Sequence, residues 1–248
     1  MLPGCASQKR VESAPAPKPV AAKAAQKDSP QDKEIYSVLE YRAEDEHTTV
    51  IIRYPQFNMP GLDMRIKDKA MQPLAGFRKT VEEEYLEADM EAEGANPHYE
   101  LIVDFDVRML TRDLLSLMFK QYIDYNGAHP TTSCASLAAD MKTGEPITLQ
   151  SLFKPGADYL EAISQATVAH FMDTLEDADA DWVNTGAGPQ PENYEVFYLQ
   201  PYGVAFYFNP YQVTSYAEGP QEMHFFALDD PMAGMMAPGM IEKLQQTH

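Results

Sequence analysis

The chain has 248 residues, of which 44% are hydrophobic, and this is enough to form one large or two small folded domains. Residues 1–34 contain six basic and four acidic residues, whereas residues 35–248 contain 13 basic and 34 acidic residues, a net charge of −21. Such a body repels nucleic acid phosphates and anionic lipid surfaces. The charge therefore excludes nucleic acid as a partner and favours basic proteins or cations. An acidic surface that only keeps the protein soluble is the alternative.

The first residues, LPGCAS after Met1, resemble a bacterial lipobox, in which a signal peptidase cleaves before a cysteine that then receives lipid. Pro3 stands where a small residue is usual, and the basic and apolar parts of a signal peptide would lie upstream of Met1. The resemblance implies a lipid on Cys5 that holds the protein in the bacterial cell envelope. The alanine and serine after Cys5 imply the outer membrane, with the protein facing the periplasm. A chance match is the alternative.

Residues 6–34 contain no aromatic residue and are rich in alanine, proline and lysine. A segment of this composition buries too little apolar surface to offset the entropy lost on ordering. Residues 1–34 are therefore predicted to be a lipobox remnant and a flexible tether, stiffened by its prolines. The sequence has no run of about 20 apolar residues, so the lipid on Cys5 is the predicted membrane anchor.

The folded body begins with a predicted strand at residues 48–54, TTVIIRY, which are β-branched and aromatic. A helix follows, because apolar residues then recur at steps of three and four. They are Ile66, Ala70, Leu74, Phe77, Val81 and Tyr85. Pro73 lacks a backbone N–H, so we expect the continuous helix to begin near it and to end at residues 94–97.

The clearest strand is residues 99–109, in which apolar and polar residues alternate. One face of such a strand packs on a core and the other meets water. This places Asp104 and Asp106 on one face, about 6–7 Å apart along the strand. Two carboxylates at this spacing can serve acid–base chemistry or bind Ca²⁺, whereas an ordinary solvated face needs neither role.

Residues 113–125 fit a helix by composition, but the neighbouring strands and the turn after them favour a strand. The stretch NGAHPTT, residues 126–132, then forms a turn that contains His129. The imidazole can hold the turn by hydrogen bonds to the backbone, and ligand binding is the alternative role. Catalysis needs a nucleophile or metal ligands nearby, and the other histidines are scattered. We predict no catalytic residue, no metal site and no cofactor.

The second half of the body starts with a small-residue strand that ends at Asp140 and contains Cys134, predicted to be a buried and unreactive thiol. After this strand we predict a chain reversal at Gly144 and a short turn capped by Thr148. A helix follows from Pro155 to about Leu175, and a Gly/Pro-rich loop runs from Trp182 to about Pro191. The last predicted elements are hairpin strands at residues 194–199 and 204–208 and a final strand at residues 222–228.

The tail, residues 231–248, contains Met232, Met235, Met236 and Met240. Clustered thioethers can bind Cu(I) in a periplasmic protein. Packing of a helix, or a mobile tail, explains the same residues without a metal, and we prefer that interpretation.

Several of these stretches together resemble a known family. They are Ser116-Leu117, YNGAHP at residues 125–130, ADMKTGEPITL at 139–149, Leu152-Phe153, LQPYGV at 199–204, FYFNPYQV at 206–213 and YAEGP at 216–220. This succession is similar to the signature of the extracellular domain of RsiV-type anti-sigma factors. The similarity covers roughly residues 47–228.

The resemblance implies an α+β fold in which antiparallel sheet packs with at least two helices. Residues 35–130 would form a subdomain similar to the small N-terminal domain of PdaC-type deacetylases, and residues 131–230 an RsiV-like subdomain. The family has no assigned general function, so we expect non-enzymatic ligand binding or sensing in the cell envelope. Relatives that sense bind lysozyme, and the expected partner is therefore lysozyme, another basic protein or cell-wall glycan.

The sensing relatives also have a sigma-binding segment and a transmembrane helix, and the deacetylases have a metal-binding catalytic domain. We recognise neither among these residues, so neither activity is carried over. Candidate ligand-binding residues are Asp104, Asp106, Tyr125, His129, Tyr211 and Tyr216. The alternative function is an envelope enzyme acting on peptidoglycan or other glycans, with Asp104, Asp106 and His129 as its polar centre.

Overall fold

The structure is a computed structural model that describes residues 35–91, 96–229, 231–232 and 234–246. Cys5 and the predicted tether of residues 1–34 lie outside the described residues, as do two residues of the predicted helix end, Gly94 and Ala95. No helix within the described ranges is long and apolar enough to span a bilayer.

The described residues form an α+β fold, as predicted, and their strands make two sheets. The larger sheet has the order β1-β2-β3-β4-β5, with β1 Ser37–Glu44, β2 Thr48–Gln56, β3 Tyr99–Leu110, β4 Leu114–Asp124 and β5 Thr131–Asp140. The smaller sheet has the order β6-β7-β8, with β6 Phe197–Gln200, β7 Gly203–Phe208 and β8 Gln221–Phe226. Neighbouring strands are antiparallel, except that β2 and β3 run parallel.

Five α-helices lie among the described residues: α1 Pro60–Thr80, α2 Leu86–Met90, α3 Tyr159–Thr174, α4 Ala180–Ala187 and α5 Pro238–Leu244. A π-helical turn, Val81–Tyr85, links the first two. The long α1 connects the parallel strands β2 and β3 across one face of the larger sheet, because parallel neighbours need a crossover connection.

The prediction that the first helix begins near Pro73 is wrong. It begins at Pro60, a first-turn position that suits proline, and it runs through Pro73 without a break. Ile66 and Ala70 before the proline, and Leu74 after it, are buried against the sheet. Packing on both sides of Pro73 therefore outweighs the hydrogen bond that it cannot donate.

The predicted strands at residues 99–109 and 113–125 are confirmed as β3 and β4, and the predicted helix after Pro155 is confirmed as α3. Two elements were missed. One is the edge strand β1, and the other is α4, which lies within the predicted Gly/Pro-rich loop. The predicted subdomain boundary at residue 130 falls between β4 and β5, which are neighbours in one sheet.

The two sheets have separate hydrophobic clusters. Side chains of α1 pack on one face of the larger sheet, whereas the smaller sheet packs with α3, α4 and the C-terminal segment. Met118 of β4 contacts Tyr198 and Ala205 between the sheets, and all three are buried. The smaller sheet thus covers part of the face that α1 leaves open.

Two serine side chains join the sheets by binding backbone groups of β6. The Leu199 amide donates to Ser116 Oγ at 2.9 Å, and the Phe197 amide donates to Ser136 Oγ at 3.0 Å. Ser116 is fully buried. These bonds satisfy amides of β6 that face away from the other described strands of the smaller sheet, and buried amides require a partner.

Acidic side chains bind the C-terminal helix to the larger sheet. Lys243 Nζ donates to Asp140 at 2.6 Å, and Gln246 donates to the buried Asp113 at 3.0 Å. Lys142 also pairs with Asp113 at 2.8 Å. The bond from Lys142 is the main cause that holds the pKa of Asp113 well below its usual range, and the bond from Lys243 lowers the pKa of Asp140.

Replacement of Ser116 by alanine should lower the free energy of unfolding by about 1–3 kcal/mol, because the Leu199 amide is left buried without a partner. Urea-induced unfolding measures this change. Ser133→Ala is the matched control, since Ser133 is half-buried and its hydroxyl donates to the side chain of Gln121, not to a backbone group. Equal effects of the two substitutions would contradict the role assigned to Ser116.

The Asp113→Asn variant should show a lower Tm than the native chain at neutral pH. A carboxyl whose pKa is lowered by folding stabilises the fold above its unfolded pKa, about 4, and this contribution is lost as the pH falls. The difference in Tm should therefore shrink below about pH 4. Thermal melts over a pH series test this, and a difference independent of pH would contradict it.

Candidate functional site

The six predicted ligand-binding residues lie in three different places. Tyr125 is half-buried beside the α1 cluster. Its ring stacks on Tyr85 and on Phe77, with centroids 5.0 Å and 5.8 Å apart. Burial raises the pKa of Tyr125. Tyr125 therefore extends the core beside α1 and does not join the other predicted residues.

Asp104 and Asp106 lie on one face of β3, as predicted, with both side chains held by neighbouring cations. Asp104 pairs with Arg53 at 3.3 Å, and Asp106 pairs with Lys120. Neither aspartate contacts His129. The structure thus does not bring these three residues together into one polar centre. Among the described residues, no group of three or more histidine, cysteine and carboxylate side chains is arranged to hold a metal ion.

The sulfur-containing residues occupy structural positions. Met232, Met236 and Met240 are buried in the cluster around the smaller sheet, and this agrees with the packing interpretation. Cys134 lies in β5 and is half-buried. Burial raises the pKa of its thiol, so the thiol stays protonated at neutral pH.

His129, Tyr216 and Tyr211 form a row of three stacked rings. The ring centroids of His129 and Tyr216 are 4.5 Å apart with an interplanar angle of 18°. Those of Tyr216 and Tyr211 are 5.5 Å apart at 30°. Such spacings are favourable for aromatic pairs. The Tyr216 hydroxyl donates to the Pro130 carbonyl at 3.2 Å, and His129 Nδ1 lies 3.1 Å from the same oxygen.

Tyr211 ends the row with a strained backbone and an exposed ring. Its φ is +68°, a left-handed conformation that is costly for a bulky side chain. The residue is 55% exposed, and only one face of its ring is used by Tyr216. The indole Nε1 of Trp182 donates to the Tyr211 carbonyl at 2.9 Å, and Trp182 is itself 37% exposed. We call the three stacked rings of His129, Tyr216 and Tyr211, together with Trp182, the aromatic row.

Helix α4 presents Trp182 because of how its first turn is capped. The carboxylate of Asp179 accepts a hydrogen bond from the Trp182 amide at 2.8 Å, which fixes the start of the helix. The loop that contains Tyr211, residues 209–215, lies directly on this helix. A methyl group added at Gly186 would overlap the backbone carbonyl of Gln212. Gln212 also donates to the Gly186 carbonyl at 3.0 Å.

A shallow, open pocket of about 660 Å³ lies along α4, the helix that carries Trp182. Its lining residues are Asp181, Asn184, Thr185, Gln190, Glu192 and Asn193. Three of these belong to α4, the helix that carries Trp182. Gln212, next to Tyr211, donates to the Asn193 carbonyl at 2.9 Å. The pocket and the exposed rings therefore share one supporting framework.

Sequence reasoning missed Trp182 and the pocket as site residues. It placed Trp182 only at the end of an acidic run. A lone tryptophan beside a Gly/Pro-rich stretch was an available signal, because tryptophan is enriched where proteins bind their partners.

A segment in the second half of the chain matches a family of proteins. Residues 150–225 match DUF3298, described as a protein of unknown function. This segment contains Trp182, Tyr211 and Tyr216, whereas His129 lies outside it. The match confirms the expected domain of unassigned function, and the narrower resemblance to RsiV-type anti-sigma factors stays a prediction.

Curated relatives share part of the chain. Peptidoglycan-N-acetylmuramic acid deacetylase PdaC of Bacillus subtilis is 25% identical over 174 residues, which cover 69% of this chain and 36% of PdaC. Immunogenic protein MPT64 of Mycobacterium tuberculosis is 27% identical over 112 residues, which cover 45% of this chain and 48% of MPT64. The chain thus spans less than half the length of these relatives.

Solved structures show the same fold. A DUF3298-family protein from Bacteroides fragilis superposes with a TM-score of 0.60 at 20% identity, covering 85% of this chain and 97% of that protein. A DUF3298-family protein from Pseudomonas aeruginosa gives 0.60 at 18% identity, covering 83% and 94%. At these identities the similarity concerns the fold alone.

Replacement of Gly186 by alanine should displace the Tyr211 loop, because the new methyl group overlaps the Gln212 backbone. We expect a loss of about 1–3 kcal/mol in the free energy of unfolding and a changed emission of Trp182, the single tryptophan. Gly76→Ala in α1 is the control, since its methyl group meets open space. Unchanged emission in the Gly186 variant would show that the loop does not rest on α4.

Proposed function

We propose that this chain is a non-catalytic glycan-binding domain of the bacterial cell envelope, with the aromatic row and the pocket along α4 as its site. The conformation and exposure of Tyr211 are the observations on which the proposal rests. A strained, solvent-exposed tyrosine is held in place by Trp182 and Tyr216, and strain that the surrounding structure maintains is common at binding sites.

The two parts of the site match the two surfaces of a sugar. A pyranose ring presents C–H groups on its faces, which pack on aromatic rings, and hydroxyl groups at its edge, which need hydrogen-bonding partners. Tyr211 and Trp182 supply exposed ring surface. The pocket supplies carboxylate, amide and hydroxyl groups from α4 and the segment after it. Ligand sites combine apolar surface with a few placed polar groups in this way.

Charge selects among glycans. Asp181 and Glu192 line the pocket, and the body of the chain is strongly acidic. Both features repel anionic polysaccharides. The proposed ligand is therefore a neutral part of a glycan, such as N-acetylglucosamine units.

Similarity to PdaC supports a cell-wall ligand, because that enzyme is named for its action on peptidoglycan. We propose peptidoglycan as the ligand of this chain, but we do not propose the deacetylation reaction. Asp104 and Asp106 are held in ion pairs away from His129, and this geometry favours binding over catalysis. A lipid on Cys5 would place the domain at the membrane beside the wall, and this anchor is part of the proposal.

Binding of lysozyme or another basic protein is the second candidate function. An acidic stretch supports it, since Asp173, Glu176, Asp177, Asp179 and Asp181 are all exposed and no basic residue lies among them. Such a surface attracts basic proteins at low salt. Binding that high salt abolishes equally for lysozyme and for another basic protein reflects screened electrostatic attraction alone and would not support this candidate.

Tyr211→Asn should weaken glycan binding without unfolding the protein. Asparagine tolerates positive φ, so the free energy of unfolding should change by no more than about 1 kcal/mol. Loss of a central aromatic contact should weaken binding about tenfold or more. Titration of the full chain with N-acetylglucosamine oligomers, followed by the fluorescence of Trp182 and by calorimetry, measures this.

Tyr202→Asn is the matched control. Tyr202 also has a positive φ, +65°, and is 50% exposed, but it lies in the β6–β7 turn outside the aromatic row. This variant should bind as the native chain does. No binding by the native chain, or equal losses in both variants, would contradict the proposal. Saturable binding of lysozyme that survives high salt and is absent with another basic protein would favour the second candidate.

A further inference from the structure

The two edges of the larger sheet differ. At β5, the side chain of Asn209 takes the place of a neighbouring strand: the Cys134 amide donates to its Oδ1 at 2.6 Å, and its Nδ2 donates to the Cys134 carbonyl at 3.2 Å. On the same strand β5, Ser136 Oγ accepts a hydrogen bond from the Phe197 amide of β6. The β5 edge is thus covered by side chains and by β6.

At the other edge, β1 pairs with β2 alone among the described strands. Its eight residues, Ser37–Glu44, pair without a register shift. They include no proline and no lysine, two residues by which proteins commonly protect an edge. Val38 and Leu39 are 52% and 37% exposed. A long, regular and partly apolar edge is a template for a further strand.

We propose that β1 pairs antiparallel with β1 of a second copy of this chain, forming one continuous sheet across the dimer. The charges on β1, where Glu40 also pairs with Arg42 and Arg53 of its own chain, favour one partner and one register. In the register that places Tyr41 opposite the same residue of the second copy, each Glu40 lies opposite an Arg42 on the same face. Shifts of two residues either way place Glu40 opposite Glu40 or Arg42 opposite Arg42, and like charges directly opposite destabilise a strand pair.

The same register suits the apolar side of the strand. Leu39 then lies opposite Ala43 of the second copy, on the face that carries α1. Beside Leu39 is a shallow pocket of about 360 Å³ whose lining includes Met64, a residue that is 61% exposed. Pairing would cover this surface. Backbone hydrogen bonds and apolar burial supply the affinity, and the Glu40–Arg42 pairs select the partner.

The proposed dimer leaves the glycan site open. His129 precedes β5, at the opposite edge of the sheet from β1. Two sites on one dimer would engage a polymeric ligand together, which raises the apparent affinity for the polymer over that for a short oligomer. The dimer itself does not depend on the proposed function.

Sedimentation of the full chain over a concentration series tests the dimer, together with two charge-reversal variants. Glu40→Arg places arginine opposite Arg42, and Arg42→Glu places glutamate opposite Glu40. Each variant alone should be monomeric. An equal mixture of the two should dimerise again, because each copy then meets the opposite charge at both positions. Thermal melts check that each variant is folded.

Hydrogen exchange provides a measurement without substitutions. The outward-facing amides of β1, which alternate with those that bond β2, should exchange more slowly as concentration rises. A native chain that stays monomeric would overturn the proposal. So would dimers that persist in both single variants, or folded variants whose mixture remains monomeric. Exchange of the β1 amides that is independent of concentration would overturn it as well.

Discussion

The docking of β6 onto the larger sheet is the contact on which the rest of the structure depends. The hydroxyls of Ser116 and Ser136 accept hydrogen bonds from amides of β6. Helices α3 and α4 and the C-terminal segment pack on the smaller sheet, so their positions also depend on these bonds. Side chain to backbone bonds fix position more strictly than apolar contact alone, because their geometry is directional. The relative placement of the two hydrophobic clusters follows from these bonds.

The aromatic row depends on this placement because its members come from both parts of the molecule. His129 belongs to the turn between β4 and β5, whereas Tyr211 and Tyr216 belong to the segment after β7. Tyr216 reaches across 86 positions of sequence to bond Pro130. An occupant of the site would touch residues whose spacing is set by the junction, so binding and the junction stabilise each other.

Local patterns in the sequence predicted the elements that depend on local forces. The alternation in β3 gave the correct face for Asp104 and Asp106, since the period of a strand is two. The period of two in β4 places Leu115, Leu117 and Phe119 on the face that α1 covers. Tyr125 follows β4 in the same alternation, so its ring lies on that face too. Helix α4 was missed because it contains a glycine and short polar residues, which are weak helix formers. The Asp179 cap and the burial of Val183 stabilise it instead. The edge strand β1 was missed because most of its side chains are exposed.

The closed β5 edge also sets a limit on assembly. A sheet with two open edges adds strands at both, and copies of such a chain can grow into a fibre. Here Asn209 bonds the backbone of Cys134, and β6 lies against the same strand, so a pair formed through β1 ends in a covered β5 edge on either side. Isologous contact of this kind closes on itself. Coverage of the β5 edge therefore separates a finite particle from open-ended polymerisation.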